Sequence, residues 1–406
     1  MLATARSLSR RGVSYAAIGV APWSPMGVSR YLRPHLAGVG PDARAEPEAF
    51  AEFLLDVVRE RGVRLVMPLS DRTLLTCDRF RDAIEAEARL AAPPSTGIRN
   101  VLDKKVNLET ARELGIPCPE SFDLKHLEQI PELIEALGLP LVLKQPGPSI
   151  DGERPRLDLD WLLVRDRREL ERLLEMYAQQ GTLPVVQRFV PYATRKLCCF
   201  AVSGEIVAIQ QWWPIRALRG FSVFREMTPV SPDLHRFGAS MLEALHWNGV
   251  AHFEFKVNES DGDVRYIETN GRPWGTIEAS IALGWDFPWW MYRFFLHGER
   301  PKPPPSGQGV GTKARWHLGE LKVLLEFLRG RPQPGWPERG RIEAILDYFS
   351  GFSRDVHPDV FRVDDPLPEL AQHVSAAYAG AYDVLRRIKP LRSLYRSVKA
   401  LTKNNS

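Results

Sequence analysis

The sequence predicts a mixed protein: α/β at its start, α+β through its middle, and helical at its end. Three observations carry this. Helix and strand patterns alternate over the first ninety residues. Strand patterns then follow one another closely enough to pair as antiparallel hairpins. After a Pro-rich linker, helical patterns dominate. At 406 residues the chain is long enough for two or three domains.

Taken in order, "LATARSLSRRG" has Leu2, Ala5 and Leu8 at helical spacing and Gly12 where a helix stops. "VSYAAIGV" reads as the strand after it. No Asp or Glu precedes Asp42, while Arg6, Arg10 and Arg11 come early. An acid-poor targeting segment therefore stays open beside the helix–strand reading. "PEAFAEFLLDVVRERG" is a helix ending at Gly62, "VRLVMPLS" a short buried strand, and "DRTLLTCDRFRDAIEAEARL" another helix. Alternating units of this kind predict a parallel sheet with helices on its faces. "APPSTG" is a break. "NVLDKKVNLETARELGIPCPES" is a helix stopped by Gly115 and Pro117, and "LEQIPELIEALGLPLVLKQPG" is helix, turn and strand. "DRRELERLLEMYAQQG" is helical. "LPVVQRFVPY", "RKLCCFAVSGEIVAIQQWW", "AHFEFKV" and "VRYIETN" are strands. "GERPKPPPSGQG", Gly298 to Gly309, is the linker to the final helical patterns.

Hydrophobic content of 44% and charged content of 26% are those of a globular protein. A net charge of +4 does not argue for nucleic acid. Cys77, Cys118, Cys198 and Cys199 lack metal-ligand spacing and read as reduced thiols of a cytoplasmic protein.

The chemistry concentrates in "VRYIETNGRPWG", where Glu268, Asn270 and Arg272 alternate. If "AHFEFKV" and "VRYIETN" form one hairpin around "NESDGD", a register centred on Asp261 pairs Phe255 with Ile267 and Glu254 with Glu268. Two opposed carboxylates repel unless water or a cation lies between them. With Asn270 they form a set of hard oxygen donors suited to Mg²⁺. Arg272 is placed to face a phosphate or carboxylate. A solvated strand face is the plainer alternative.

These residues resemble the ATP-grasp superfamily, in the branch of carbamoyl-phosphate synthase and biotin carboxylase. "ETNGR" is similar to its metal strand, and Glu254 to the carboxylate of the partner strand. The resemblance runs over about residues 1 to 300. It implies a Rossmann-like domain at 1–95, an ATP-grasp domain of two α+β subdomains at 96–300, and a linker with a helical region at 301–406. By the same resemblance Lys104 and Lys144 reach nucleotide phosphates. "VVQRFVPY" is the hinge, so Gln187, Arg188, Phe189 and Val190 border the adenine, through the Arg188 carbonyl and the Val190 amide. The family's opening strand and Gly-rich turn are absent, which implies a late-assigned start or a divergent N-terminus.

Three departures stand out. The phosphate loop "QPGPSIDGERPR" has only two glycines; the hinge carries no acid; Arg195 and Lys196 stand where an acid usually meets the ribose. The implied function is an ATP- and Mg-dependent carboxylate–amine (or thiol) ligase working through an acyl phosphate, with Mn²⁺ as an alternative ion. Arg272 would hold the reacting carboxylate. The partners are then a small carboxylate and an amine, with a homodimer left open and no nucleic acid. A nucleotide-binding scaffold on a degenerate fold is the rival. Biotin carboxylation is a third reading, although the chain has no Met-Lys-Met carrier motif. The Trp-rich "PWGTIEASIALGWDFPWW" reads first as core, and "MPLSDRTLL" as a helix capped by Ser70 or Asp71, with a strand end that turns these two residues to the cleft as the alternative. The basic stretch "RRIKPLRSLYRSVKALTKNNS" reads as a solvated tail, with an anionic membrane surface as the alternative.

Overall fold

In this computed structural model the described residues are 1–145, 161–218, 220–331, 340–353 and 355–387, with side chains described through residue 380. The phosphate loop beyond Gln145 and the basic stretch from residue 388 lie outside them. Packing divides the chain into two compact units: Gly40–Asp359 with residues 1 and 3, and Thr4–Val39 with Val360–Ser406 and residue 2. This grouping differs from the three segments 1–95, 96–300 and 301–406.

Among the described residues the larger unit holds three sheets. The first is a parallel pair, β1 (Leu65–Val66) and β2 (Arg89–Leu90). The second is four-stranded: β3 (Ser121–Phe122), β4 (Leu141–Lys144), β5 (Trp161–Val164) and β6 (Val185–Arg188), in the order β3-β6-β4-β5. The third has seven strands: β7 (Ala193–Val202), β8 (Glu205–Leu218), β9 (Phe221–Thr228), β10 (Gly249–Val257), β11 (Val264–Asn270), β12 (Lys313–Arg315) and β13 (Val356–Pro358). Its order is β11-β10-β7-β8-β9-β12-β13, antiparallel except for the last pair.

Local chemistry explains these elements. The helix Arg167–Ala178 starts where Asp166 accepts a hydrogen bond from the Glu169 amide, 2.9 Å. It buries Leu170, Leu173, Leu174 and Tyr177 against Leu141, Leu143 and Val186 of the four-stranded sheet. Each such Leu contributes roughly 1.5–3 kcal/mol by leaving water. β7 and β8 turn at Ser203 and Gly204, whose φ values of 51° and 87° suit a tight hairpin. Trp274, Trp285, Phe287 and Trp290 pack with Phe200 and Trp212, so the Trp-rich segment is core.

Three expectations are corrected here. The parallel sheet of the first ninety residues is reduced, among the described residues, to the two-residue strands β1 and β2. "VSYAAIGV" makes a single bridge, Ala17 to Leu36, because its Ala- and Gly-rich backbone turns at Gly19, φ 80°. Residues past 300 are not helical throughout, since β12 and β13 extend the large sheet.

In the smaller unit the helix Leu2–Arg10 forms as expected. Its Arg6, fully buried, donates from Nε (3.0 Å) and Nη2 (2.9 Å) to Asp365. Ser29 Oγ also donates to Asp365, 2.6 Å, so this carboxylate ties three segments together. The helix Leu367–Arg387 follows.

Candidate functional site

The hairpin β10–β11 sets Glu254 opposite Glu268, as the alternation of the sequence predicts. One detail differs. Phe255 pairs with Tyr266, not Ile267, because a bulge lies between the Glu254 and Phe255 positions. The extra residue, Ile267, has its carbonyl turned to a side chain: Lys144 Nζ donates to it at 2.9 Å. The bulge also lets Tyr266 and Thr269 meet on the inner face, 2.6 Å apart. Tyr266 donates to Asn107 of the helix Lys104–Glu113, and its amide donates to the Pro117 carbonyl, 2.7 Å.

That helix begins with Asp103, whose carboxylate accepts from the amides of Lys105 (2.9 Å) and Val106 (3.2 Å). The cap places Lys104 in the first turn, where the helix dipole favours anions. Lys104 Nζ reaches Glu268 Oε2 at 2.9 Å, and Asn270 Nδ2 donates to Glu268 Oε1 at 3.1 Å. Across the ladder Lys196 Nζ donates to Glu254 Oε1, 2.7 Å. Each carboxylate thus has a lysine partner, and the repulsion between them is offset.

The electrostatics follow from burial and these cations. Burial opposes ionisation of Glu268, yet Lys104 and Lys144 together hold its carboxyl well below the usual carboxylate range. Burial pushes the Lys144 ammonium down to about 8, although Glu268 pulls the other way. His252 sits opposite Asn270, is 5% exposed and stacks on Trp274 at 5.7 Å. Its burial lowers the imidazole well below the ordinary histidine range, so it is neutral.

Arg272 leaves the strand end and meets Asp71. Nε and Nη2 lie 3.2 and 3.1 Å from the two carboxylate oxygens. Ser70 caps the helix Asp71–Arg79 by accepting from the Thr73 amide, 3.2 Å. Ser70 is therefore the cap, and Asp71 is released toward Arg272. The segment after Arg272 is pinned by β9: buried Arg225 donates to the Thr276 carbonyl, 2.8 Å, and pairs with Asp359.

The structure brings Lys104, Lys144, Glu254, Glu268 and Asn270 together through these contacts, with Arg272 two residues along. The hinge residues make no hydrogen bond to this cluster among the described residues. Gln187 is buried and its amide donates to Ser121 Oγ, 3.1 Å. The Arg188 side chain is exposed and pairs with Glu120 at 2.7 Å. The Phe189 amide donates to the Pro140 carbonyl, 3.2 Å, while the Val190 amide makes no hydrogen bond among the described residues. β6 joins this hinge to Lys144, since Val185 pairs with Lys144 on β4. Sequence reasoning did not assign Lys196, Asp71 or His252 to the cluster. Alternation along β7 and β10 was the available signal for Lys196 and His252, and the strand-end position of "MPLSD" was the one for Asp71.

The donor set fits a hard divalent cation. Glu254, Glu268 and Asn270 offer oxygens from one sheet face, and two carboxylates plus phosphate oxygens are a usual Mg²⁺ environment. Among the described residues no group of three His, Cys, Asp or Glu could hold a metal without such help.

No family model matches the chain, and no curated protein matches it by sequence. Solved structures do. The biotin carboxylase domain dimer of Hydrogenobacter thermophilus 2-oxoglutarate carboxylase, in complex with MgADP, ADP and bicarbonate, superposes with a TM-score of 0.61 at 17% identity, covering 77% of this chain and 71% of that one. Campylobacter jejuni biotin carboxylase, in its β-γ-ATP complex, gives 0.62 at 14% identity with the same coverage. Rhizobium etli pyruvate carboxylase gives 0.57 at 17%, covering 76% of this chain and 29% of that one. These likenesses show the fold: the chain has the ATP-grasp fold of biotin carboxylase domains.

Proposed function

We propose that the protein is an ATP- and Mg-dependent ligase that joins a carboxylate to an amine or thiol, with ADP and phosphate as products. One observation carries the reading. Glu254 and Glu268 oppose each other across β10 and β11, flanked by Lys104, Lys144 and Lys196 and followed by Asn270 and Arg272. So many charges are costly to gather without a charged ligand.

Glu254, Glu268 and Asn270 would hold Mg²⁺, which supplies charge neutralisation at the phosphates. Mn²⁺ suits the same oxygen donors. Lys104, at a helix N-terminus, and Lys144 would hold the phosphates. The Val190 amide and Arg188 carbonyl would border the adenine beside Gln187 and Phe189. Arg272 would orient the carboxylate and stabilise charge on the acyl phosphate and the adduct that follows. Nucleotide, Mg²⁺ and bicarbonate in the Hydrogenobacter domain support this assignment. Its dimeric state supports a homodimer here. A cytoplasmic location goes with the reduced thiols. The three-part division at residues 95 and 300 is kept as the modular reading. A degenerate scaffold gains no support from the site, because the charged residues converge.

Thermal unfolding with and without Mg-ATP tests the proposal. Ligand at a hundred times its dissociation constant should stabilise the wild type by about 2.7 kcal/mol. The rise should need Mg²⁺ and vanish in Glu268→Gln. A folded wild type that shows no shift at saturating Mg-ATP overturns the reading.

A further inference from the structure

His252 is buried on the sheet face that carries the opposed carboxylates, yet its ring has no hydrogen-bond partner. It stands two residues before Glu254 on β10, so both side chains leave the same face. Directly across one ladder lies Asn270, and across the other lies Cys198 of β7. The plane of the ring is set by Trp274, stacked on it at 5.7 Å and 21°. Among the described residues neither ring nitrogen makes a hydrogen bond.

Its place along the strands is specific. On this face the pair Glu254–Glu268 is followed by the pair His252–Asn270. Lys144 meets the Ile267 carbonyl and Lys104 meets Glu268, so the phosphate lysines lie at the first pair and on its near side. His252 lies one pair beyond, toward the strand end from which Arg272 extends. A neutral imidazole carries one N–H donor and one lone pair. Burying both without a partner costs free energy, and folded proteins rarely do so without a use. As packing alone, a Phe here would stack on Trp274 and leave nothing unpaired.

We infer that His252 is a further catalytic residue of this site: its ring N–H donates to the oxygen of the reacting carboxyl group on which charge grows as the amine adds. The inference rests on the ligase reading. In that step the amine lone pair forms the C–N bond and the carbonyl pair moves onto oxygen. The pair then returns, the bond from carbon to the phosphate oxygen breaks with its electrons, and the amine proton leaves to solvent. A donor held by stacking meets the developing oxyanion without reorganising. His252 keeps its own proton throughout. Arg272 binds the carboxylate before reaction, and His252 acts as the charge develops.

Two variants separate donor from ring. His252→Phe keeps the stack and removes the donor; His252→Gln keeps an N–H donor and removes the ring. Steady-state ADP release of the full chain is measured with Mg-ATP, bicarbonate and ammonium, beside thermal unfolding with Mg-ATP. His252→Phe should lose roughly a hundredfold in kcat. Its KM for bicarbonate should match wild type, as for a contact made only in the transition state. His252→Gln should regain about tenfold of that loss. Both should keep the wild-type thermal response to Mg-ATP. A fully active His252→Phe beside an impaired His252→Gln makes the ring a packing element and overturns the inference. Equal loss in the two variants overturns it as well. So does a loss confined to Mg-ATP affinity, which places the imidazole at the phosphates. A wild type that responds to Mg-ATP but releases no ADP with bicarbonate and ammonium overturns the inference and leaves the nucleotide site standing. A wild type with no thermal response to Mg-ATP overturns the ligase reading itself.

Discussion

Arg272 and Asp71, 201 residues apart in sequence, are joined by a two-pronged ion pair at 3.2 and 3.1 Å. Asp71 takes the Nε–Nη2 edge of the guanidinium, and the Pro273 carbonyl accepts from Nη1 at 3.4 Å. Arginine presents two such edges. The pair therefore fixes the plane of the group. The side chains are 26% and 34% exposed, so the pair is open to a ligand and adds little to stability.

On the ligase reading, Asp71→Asn should raise the KM for the carboxylate about tenfold, since charge-assisted bidentate bonds hold Arg272 in place. Asp71→Glu should restore part of it. Mg-ATP binding should not change, because Asp71 touches none of the lysines or carboxylates of the cluster. ADP release over a series of carboxylate concentrations, beginning with bicarbonate, measures this. An equal loss of Mg-ATP affinity would assign Asp71 to folding instead.

Gly271, between Asn270 and Arg272, is needed for space. A Cβ there would lie 2.8 Å from the Trp247 ring. That ring is fully buried and its Nε1 donates to the Val250 carbonyl, 3.0 Å, so it cannot swing aside. Gly271→Ala should cost roughly 1–3 kcal/mol by overpacking. A thermal midpoint equal to wild type would show that the ring does give way.

The fold and half of the site were legible because they rest on periodicity. Alternation along β10 and β11 put Glu254 and Glu268 on one face, and a turn centred on Asp261 set them opposite each other. The bulge at Ile267 was not legible, since an inserted residue leaves the composition of a strand unchanged. Its consequence, a carbonyl offered to Lys144, belongs to tertiary structure. The failure of "VSYAAIGV" as a strand has the same origin: a strand needs a neighbour, and Ala17 finds only residues 35–37. Lys196 was noticed only as a departure from an expected acid. Its pairing with Glu254 appears once β7 lies beside β10. Buried Arg6 was equally hidden, because its partner Asp365 is 359 residues away.

The thiols should sort by burial. Cys77, Cys198 and Cys199 are buried, and burial pushes the Cys77 thiol up to about 12 and raises the other two as well. Cys118 is only partly covered, though its thiol is also raised by burial. An aromatic disulfide reagent should therefore modify Cys118 alone, and slowly, in the native protein. Peptide mapping that finds native Cys198 or Cys199 labelled would contradict the packing of β7.

Lys144 gives the chain a specific pH dependence. Its ammonium, ordinarily at 10.5, is lowered to about 8 by burial, against the attraction of Glu268. Between those values the unfolded chain holds the proton and the native chain has lost it. Stability then rises with pH through this window, because the unfolded state binds more protons. The difference of 2.5 between the two values corresponds to about 3 kcal/mol. Near neutral pH the buried charge is a net cost, so Lys144→Met should be more stable than wild type there. The advantage should shrink as pH climbs from 8 to 10.5. Denaturant titrations of both proteins across that range give the comparison. In Glu268→Gln the favourable partner is gone, and the wild-type rise should begin at lower pH. If the Met variant is instead less stable near neutral pH, the attraction of Glu268 outweighs the burial of Lys144. The native value must then lie above 10.5, with the slope reversed.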